Sequence, residues 1–212
     1  MILEKGIIIP LLKNSDGNRF TSDNYRGITL SPVMSKLFEM VLLLQFKDQL
    51  SSDPLQFGFK SKSSCSHAIF AFKTTANHYI KNGSTVSVCA LDISKAFDRV
   101  DHYKLFNVLV DRSLSKEFIG LLHDWFGKCF VHVRWCKAYS CWFQILAWVR
   151  QGGILSPVLF AVYMDPLIAR LKHLGLGCRV LDEFFGCLLY ADDNYIIDVT
   201  FDTFYAANVA CV

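Results

Sequence analysis

Apolar and polar residues along the chain change period several times, and the changes mark its elements. Ile7-Ile8-Ile9-Pro10-Leu11 reads as a short strand. A polar loop follows, Lys13-Asn14-Ser15-Asp16-Gly17-Asn18-Arg19, in which Asp16-Gly17 is a turn signal. Ser31-Pro32 opens a helix by the preferences of the cap and first helical positions. Leu37, Met40, Val41, Leu44 and Gln45 carry it at helical spacing toward Leu50. A second helix is predicted from 64 to about 80 on Ile69, Phe70, Phe72, Lys73 and Ala76, ended by Asn82-Gly83. Residues 85–91 are a β-rich run that is largely apolar, as suits a buried strand, and Asp92 follows at once.

Helical patterning resumes over 96–111 and 115–127, the latter with Ser115 as cap and Glu117 in its first turn. Residues 130–135 and 142–148 pair as a hairpin around Cys136 to Cys141. After Gln151-Gly152-Gly153 comes an apolar helix from Ser156-Pro157 to about Leu174. A last hairpin, 187–190 with 195–197, closes around the acidic turn Ala191-Asp192-Asp193-Asn194. Strands and helices mix without a regular βαβ rhythm, which predicts an α+β fold over a doubly wound sheet.

Composition narrows the class. The 212 residues are 52% hydrophobic, 14% aromatic and 19% charged, enough apolar surface to exclude global disorder. The net charge of +3 is too small to argue for nucleic acid alone. It is unevenly placed, since residues 180–212 hold no Lys or Arg but carry Asp182, Glu183, Asp192, Asp193, Asp198 and Asp202. No apolar run approaches the length of about 18 residues needed to span a membrane, and the start lacks the pattern of a signal peptide. Secretion is therefore not indicated, and an intracellular protein with no membrane partner is expected. The eight Cys contain no C-x-x-C pair, so reduced, mostly buried thiols and no disulfide partner are expected; Cys129, Cys136 and Cys141 have the wrong spacing for a zinc knuckle.

Two acidic features stand about 100 residues apart: Asp92 at the end of a predicted strand, and Asp192-Asp193 at a predicted hairpin tip. A carboxylate beside a buried strand is costly unless paired or bound to a cation. If strand end and hairpin tip are neighbours in one sheet, three carboxylates converge and a divalent metal is the natural compensation. Hard oxygen ligands suit Mg²⁺. Two such ions stabilise the attacking and leaving oxygens of an in-line phosphoryl displacement. Taken singly, the residues also read structurally: Asp92 as a helix cap, Asp-Asp as turn residues, Phe97 as a core aromatic, and Gln151-Gly152-Gly153 as an ordinary helix start.

Asp92-Ile93-Ser94-Lys95-Ala96-Phe97-Asp98, Gln151-Gly152-Gly153-Ile154-Leu155-Ser156-Pro157 and Tyr190-Ala191-Asp192-Asp193 occur in this order and resemble motifs A, B and C of reverse transcriptases. Gln56-Phe57-Gly58-Phe59-Lys60 and Asn24-Tyr25-Arg26-Gly27-Ile28 extend the resemblance to non-LTR (LINE-type) retrotransposon polymerases over roughly residues 5–200. It implies a polymerase right-hand fold with fingers over 1–85, palm over 86–200, a truncated tail over 201–212 and no thumb. It implies an RNA-directed DNA polymerase whose partners are an RNA template, a DNA primer and deoxynucleoside triphosphates, with two Mg²⁺ and Mn²⁺ as the alternative ion. On this resemblance Asp92 and Asp192 are metal ligands, with Asp193 the neighbouring acid. Lys13 and Arg26 bind triphosphate, Phe97 is the gate beneath the sugar, and Gln151 and Gly152 approach nucleotide or template.

The sequence departs from the family in places. Gly27 replaces the usual Pro, which is expected to loosen a turn after Arg26; Trp148 stands where Gly is usual; Asn194 replaces a smaller or apolar residue. After Ile197 no motif D lysine, primer grip or thumb is recognisable, and no endonuclease region is present. The alternative to an active polymerase is therefore a catalytically inactive remnant that binds nucleic acid weakly.

Overall fold

The computed structural model describes residues 5–13, 18–93, 96–145, 152–175 and 177–199. In chain order the elements are β1 (Lys5–Leu12), β2 (Tyr25–Leu30), α1 (Val33–Gln45), α2 (Cys65–Lys81), β3 (Ser87–Asp92), α3 (His102–Asp111), α4 (Lys116–Gly127), β4 (Phe130–Trp135), β5 (Ala138–Tyr139), β6 (Phe143–Gln144), α5 (Ser156–Leu174), β7 (Arg179–Val180), β8 (Glu183–Phe184), β9 (Cys187–Tyr190) and β10 (Asp193–Asp198). They form two compact units, one of Met1–Leu50 with Phe97–Leu159, the other of Ser51–Ala96 with Phe160–Val212.

The first unit is built on a sheet in the order β2-β1-β4-β5, with β6 also on β4. β1 is antiparallel to β2, from Ile7 opposite Leu30 to Leu12 opposite Tyr25. It is parallel to β4, from Lys5 beside Phe130 to Ile8 beside Val133. One face packs Ile8, Val131 and Ile145 against Trp125 and Cys129, with Phe38, Phe126 and Val133 around them. Phe38 and Trp125 join α1 to α4 at 4.8 Å between ring centroids. No strand was expected at Tyr25–Leu30, whose residues do not alternate; pairing with β1 along its full length makes it one, a tertiary effect that outweighs local preference. Gly27 accordingly lies within a strand, opposite Pro10, and not in a loosened turn.

The helix expected over 96–111 is broken. A 3-10 turn at Ala96–Arg99 precedes α3, because the Asp101 carboxylate accepts from the amides of Tyr103 (2.7 Å) and Lys104 (3.2 Å) and starts the helix anew. Ser115 caps α4 as expected, accepting from Phe118 N at 3.2 Å. α1 starts one residue later than Ser31-Pro32 implies, with Pro32 at the cap, and ends at Gln45. Its buried positions are Ser35, Glu39 and Leu42, whereas Leu37, Met40, Val41 and Leu44 form its exposed side. The Glu39 carboxylate is only 4% exposed and accepts from the amides of Ile154 (2.6 Å) and Leu155 (3.2 Å). These are donors just ahead of α5 that a helix start otherwise leaves unpaired.

The second unit holds the sheet β3-β10-β9, antiparallel throughout, and the small hairpin of β7 and β8. Leu55 to Phe57 run along the free side of β9: Leu189 N donates to Leu55 O (2.9 Å) and Phe57 N to Leu189 O (2.7 Å). That segment is anchored through Asp53. Its carboxylate pairs with Lys172 of α5 at 2.6 Å and accepts from Leu55 N, while its own amide donates to the buried Asp165 at 3.0 Å. Lys60 Nζ donates to Asp53 O; burial lowers its pKa, against the raising pull of Asp165 and Asp53. Among the described residues no helix is long and apolar enough to cross a membrane.

The seven described cysteines are free, but the expectation of mostly buried thiols needs correction. Cys129, Cys178 and Cys187 are buried, Cys89 is half-buried, and Cys65, Cys136 and Cys141 are exposed. Burial pushes Cys187 up from 9.0 to about 12, with Asp53 adding to the rise and Lys172 opposing it. Burial, aided by Asp198, pushes Cys178 up to about 11.

Two outcomes follow from this packing. Glu39→Ala leaves two buried amides without an acceptor and should cost about 2–3 kcal/mol in urea unfolding, with Glu39→Gln milder. Above pH 9 the unfolded thiols of Cys178 and Cys187 ionise while the folded ones keep their protons. The unfolded state then binds fewer protons, so stability falls as pH rises from 9 toward 12. The urea midpoint should drop over that range, and drop less in a Cys178→Ala/Cys187→Ala variant.

Candidate active site

Asp92 is the last residue of β3 and Asp193 the first of β10, and the two are register partners in an antiparallel pair. Directly opposed residues share a face of the sheet and sit close together. Tyr190 pairs with Asp193 on the other side, leaving Ala191 and Asp192 as the two-residue turn between β9 and β10. Asp193 thus lies in a strand and not at the tip, and only Asp192 projects from the turn itself. Asp92 and Asp193 are exposed and Asp192 is half-buried. The cap of α3 is Asp101, so the reading of Asp92 as a cap for that helix does not hold.

Three carboxylates belong to this sheet end. Among the described residues, however, no three His, Cys, Asp or Glu side chains are grouped so that they could hold a metal ion, so the convergence of three carboxylates expected from the sequence is not seen. The register brings together the pair Asp92 and Asp193, and oxygen donors of this kind suit an ion such as Mg²⁺, which takes one or two carboxylates and keeps water or phosphate oxygens for the rest of its shell. Like charges directly opposed across a ladder repel, and a cation between them relieves that cost.

The turn that carries Asp192 is held from beneath. Ala191 has φ 58°, a left-handed conformation that favours glycine and matches a primed hairpin turn. The side chain of Gln56, fully buried, offers Oε1 to Ala191 N (3.1 Å) and to Gly58 N (2.9 Å). Gly58 lies so close that a Cβ there would stand 2.3 Å from Ala191 N. Asn194, also buried, donates from Nδ2 to Asp192 O at 3.1 Å. Sequence reasoning singled out Gly58 only as part of a motif and did not assign Gln56 a role. The available signal was a Gln two residues before a Gly, the spacing at which a side-chain amide can accept from a following backbone N–H.

The remaining candidates lie in the first unit. Lys13 N donates to Asn24 O at 2.8 Å, and Arg26 stands opposite Leu11, so both basic residues belong to one end of the β1–β2 pair, with exposed side chains. Phe97 is half-buried in the 3-10 turn. Gly152 has φ 116°, and a Cβ on it would lie 2.5 Å from Thr29 O; its lack of a side chain serves close packing on β2. Gln151, like Trp148, lies outside the described residues.

Beside the acidic sheet end, α2 covers part of the same face. A cleft of about 360 Å³ lies between Cys65, Ala68, Ile69 and Phe72 of α2 and Val88, Ala90, Leu188, Tyr190 and Tyr195 of the sheet, with Asp193 in its lining.

A sequence profile for reverse transcriptase (RNA-dependent DNA polymerase) matches residues 12–202, nearly the whole described chain. The chain belongs to the reverse transcriptase family. It is similar to LINE-type members. It is 25% identical over 170 residues, 80% of the chain, to the retrovirus-related Pol polyprotein from type-2 retrotransposable element R2DM of Drosophila melanogaster, covering 16% of that polyprotein. It is 26% identical over 188 residues, 86% of the chain, to the Pol polyprotein from type-1 retrotransposable element R2 of Popillia japonica, covering 26% of it. The chain thus spans about a sixth to a quarter of these relatives. Among solved structures, apo telomerase from Candida tropicalis superposes with a TM-score of 0.68 at 12% identity, over 98% of this chain and 41% of that one. Its form truncated from the C-terminal domain gives 0.66 at 16% identity, over 98% and 46%. The α+β architecture of this reverse transcriptase chain is the polymerase right-hand fold.

The support of the turn is open to direct test. Gly58→Ala forces a methyl into the backbone of Ala191 and should destabilise by about 1–3 kcal/mol. Gln56→Leu removes an acceptor from two buried amides and should cost a similar amount, about 1–3 kcal/mol, both read by urea unfolding.

Proposed function

We propose that this reverse transcriptase chain carries the nucleotidyl-transfer centre of an RNA-directed DNA polymerase, extending a DNA primer on an RNA template with deoxynucleoside triphosphates. The observation that carries the reading is the register of β3 and β10, which pairs Asp92 with Asp193 one residue from the turn residue Asp192. Asp92 and Asp192 would hold two divalent ions, with Asp193 beside them. When bound, such ions lower the pKa of the primer 3′-hydroxyl and neutralise charge on the triphosphate.

The other roles fall to residues of matching chemistry. Lys13 and Arg26 would bind triphosphate oxygens, Arg26 through its bidentate fork. Phe97 would fill the space a ribose 2′-hydroxyl needs, selecting deoxyribonucleotides. Gln151 and Gly152 would approach the nucleotide or template at the start of α5. In this reading residues 1–85 supply fingers and 86–200 palm, although Gln56 and Gly58 work beneath the palm turn.

The test is primer extension on an RNA template with Mg²⁺. Wild type should extend, and Asp92→Asn or Asp192→Asn should lower the rate by at least about 100-fold at unchanged stability, the scale of losing a group that stabilises transition-state charge. Phe97→Val should raise ribonucleotide incorporation relative to deoxyribonucleotide. Absence of metal-dependent extension, with weak RNA binding retained, would support the inactive-remnant alternative.

A further inference from the structure

Helix α1 packs on its own unit through one side and turns the other to solvent. The inward side carries Ser35, Glu39 and Leu42, with Phe38 against Trp125. The outward side is a stripe of large apolar residues: Val33, Met34, Leu37, Met40, Val41 and Leu44 stand 45% to 80% exposed. Their spacing is regular. Met34, Leu37, Val41 and Leu44 follow one another at intervals of three, four and three residues, the seam by which two helices pack side by side. Val33 and Met40 widen that seam along one flank. Apolar residues scattered singly over a surface need no explanation, whereas a contiguous stripe of this kind marks an interaction site.

Charge and symmetry select the occupant. The ionisable residues of Val33–Gln45 are Lys36 and Glu39, and Glu39 is buried on the inward side. A polyanion or an acidic peptide would therefore find a single cation along the helix. Helices that lie on membranes keep a polar face rich in Lys and Arg in water, whereas the polar side of α1 is inside its unit. The partner that fits is an apolar, nearly uncharged helix of the same length, and α1 of a second copy is such a helix. Turned antiparallel about a two-fold axis, it sets Met34 against Leu44 and Leu37 against Val41, and the symmetry repeats both contacts. Lys36 then stands level with Leu42, and Lys47 level with Ser31, of the other copy, so no like charges oppose. The two helix dipoles also run head to tail, which is favourable. Six such side chains, covering about 100 Å² apiece, bury about 1,200 Å² over both copies, the lower end of specific interfaces.

We infer that the outward face of α1 is a self-association surface, which joins two copies of the chain through an antiparallel helix pair centred between Leu37 and Val41. It belongs to the first unit and uses none of the residues assigned to nucleotide transfer, so it stands or falls independently of that reading. The seam from Met34 to Leu44 is about 16 Å long. An interface this short gives a reversible dimer, formed at about micromolar concentration.

The experiment is sedimentation velocity on the full chain from about 1 to 100 μM, a range that brackets such a dimer. Wild type should pass from monomer to dimer as concentration rises. Leu37→Glu and Val41→Glu each bring two carboxylates into the seam, one from either copy, and should weaken association by at least about 100-fold. Both positions are exposed in the single chain, so the urea midpoint should hold. Ile80→Glu is the control: it makes the same change at a 59% exposed residue of α2 and should leave association within about twofold. Direction is read by cross-linking in a Cys65→Ser/Cys136→Ser/Cys141→Ser background, which removes the exposed thiols. There a Met34→Cys chain mixed with a Leu44→Cys chain should form disulfide-linked dimers faster than either chain with itself. Wild type that stays monomeric at about 100 μM overturns the inference, whether or not it binds vesicles containing anionic lipid. So does an association that Leu37→Glu and Val41→Glu leave intact, or that Ile80→Glu weakens as much as they do. Faster cross-linking of either cysteine chain with itself overturns the antiparallel pair.

Discussion

Two carboxylates facing each other across an antiparallel strand pair are the constraint around which the second unit is arranged. Asp92 and Asp193 are opposed in register, and Asp192 follows within the adjoining turn. Without a cation between them the pairing opposes the ladder that creates it, so the strands must be held by something else. The apolar remainder of β9 and β10 supplies this. Cys187, Leu188 and Leu189 of β9 are almost fully buried, as are Ile196 and Ile197 of β10. The sheet is anchored where it is apolar and leaves its acidic end at the surface.

Holding the strands does not by itself orient the turn. Ala191 adopts a backbone conformation that a non-glycine residue reaches at a cost of order 1 kcal/mol. It persists because Gln56 accepts from its amide and Gly58 leaves room for its backbone. Gln56 is placed in turn by the segment running along β9, and that segment by Asp53, Lys172 and Asp165. The ion pair with Lys172 is only partly exposed, and Asp53 also accepts from Leu55 N while its amide is held by Asp165, so the segment is fixed at several points. Glu39 does comparable work in the first unit, joining α1 to the amides of Ile154 and Leu155. In both cases a buried polar side chain, not an apolar contact, sets the backbone next to a motif.

Much of this was legible in the sequence, and the rest failed for identifiable reasons. α2, α4 and α5 follow their caps and periodicity closely, since Ser64 and Ser115 act locally. Asp92 at a strand end and Asp192 in a turn were readable from composition. β2 was not, because its strand character comes from β1, and α3 was displaced by Asp101, whose carboxylate competes with the helix it was expected to lie in. The stripe Leu37, Met40, Val41 and Leu44 has helical spacing yet faces outward, for periodicity identifies a helix without saying which apolar side is buried. Gln56 and Glu39 escaped notice because a polar residue gives no sign in sequence of the distant amides it will satisfy.

Net charge misled most by averaging. A value of +3 reads as indifference to polyanions, yet residues 130–145 contain no acid and residues 180–212 no base. The fold converts that separation along the chain into separation in kind. The basic stretches become one side of a sheet that also exposes aromatic rings, whereas the acidic stretch becomes a strand end that bears Asp192 and Asp193. Each is disfavoured alone, one by exposed apolar area and the other by opposed carboxylates. Their opposite signs within one chain are why the overall charge says so little.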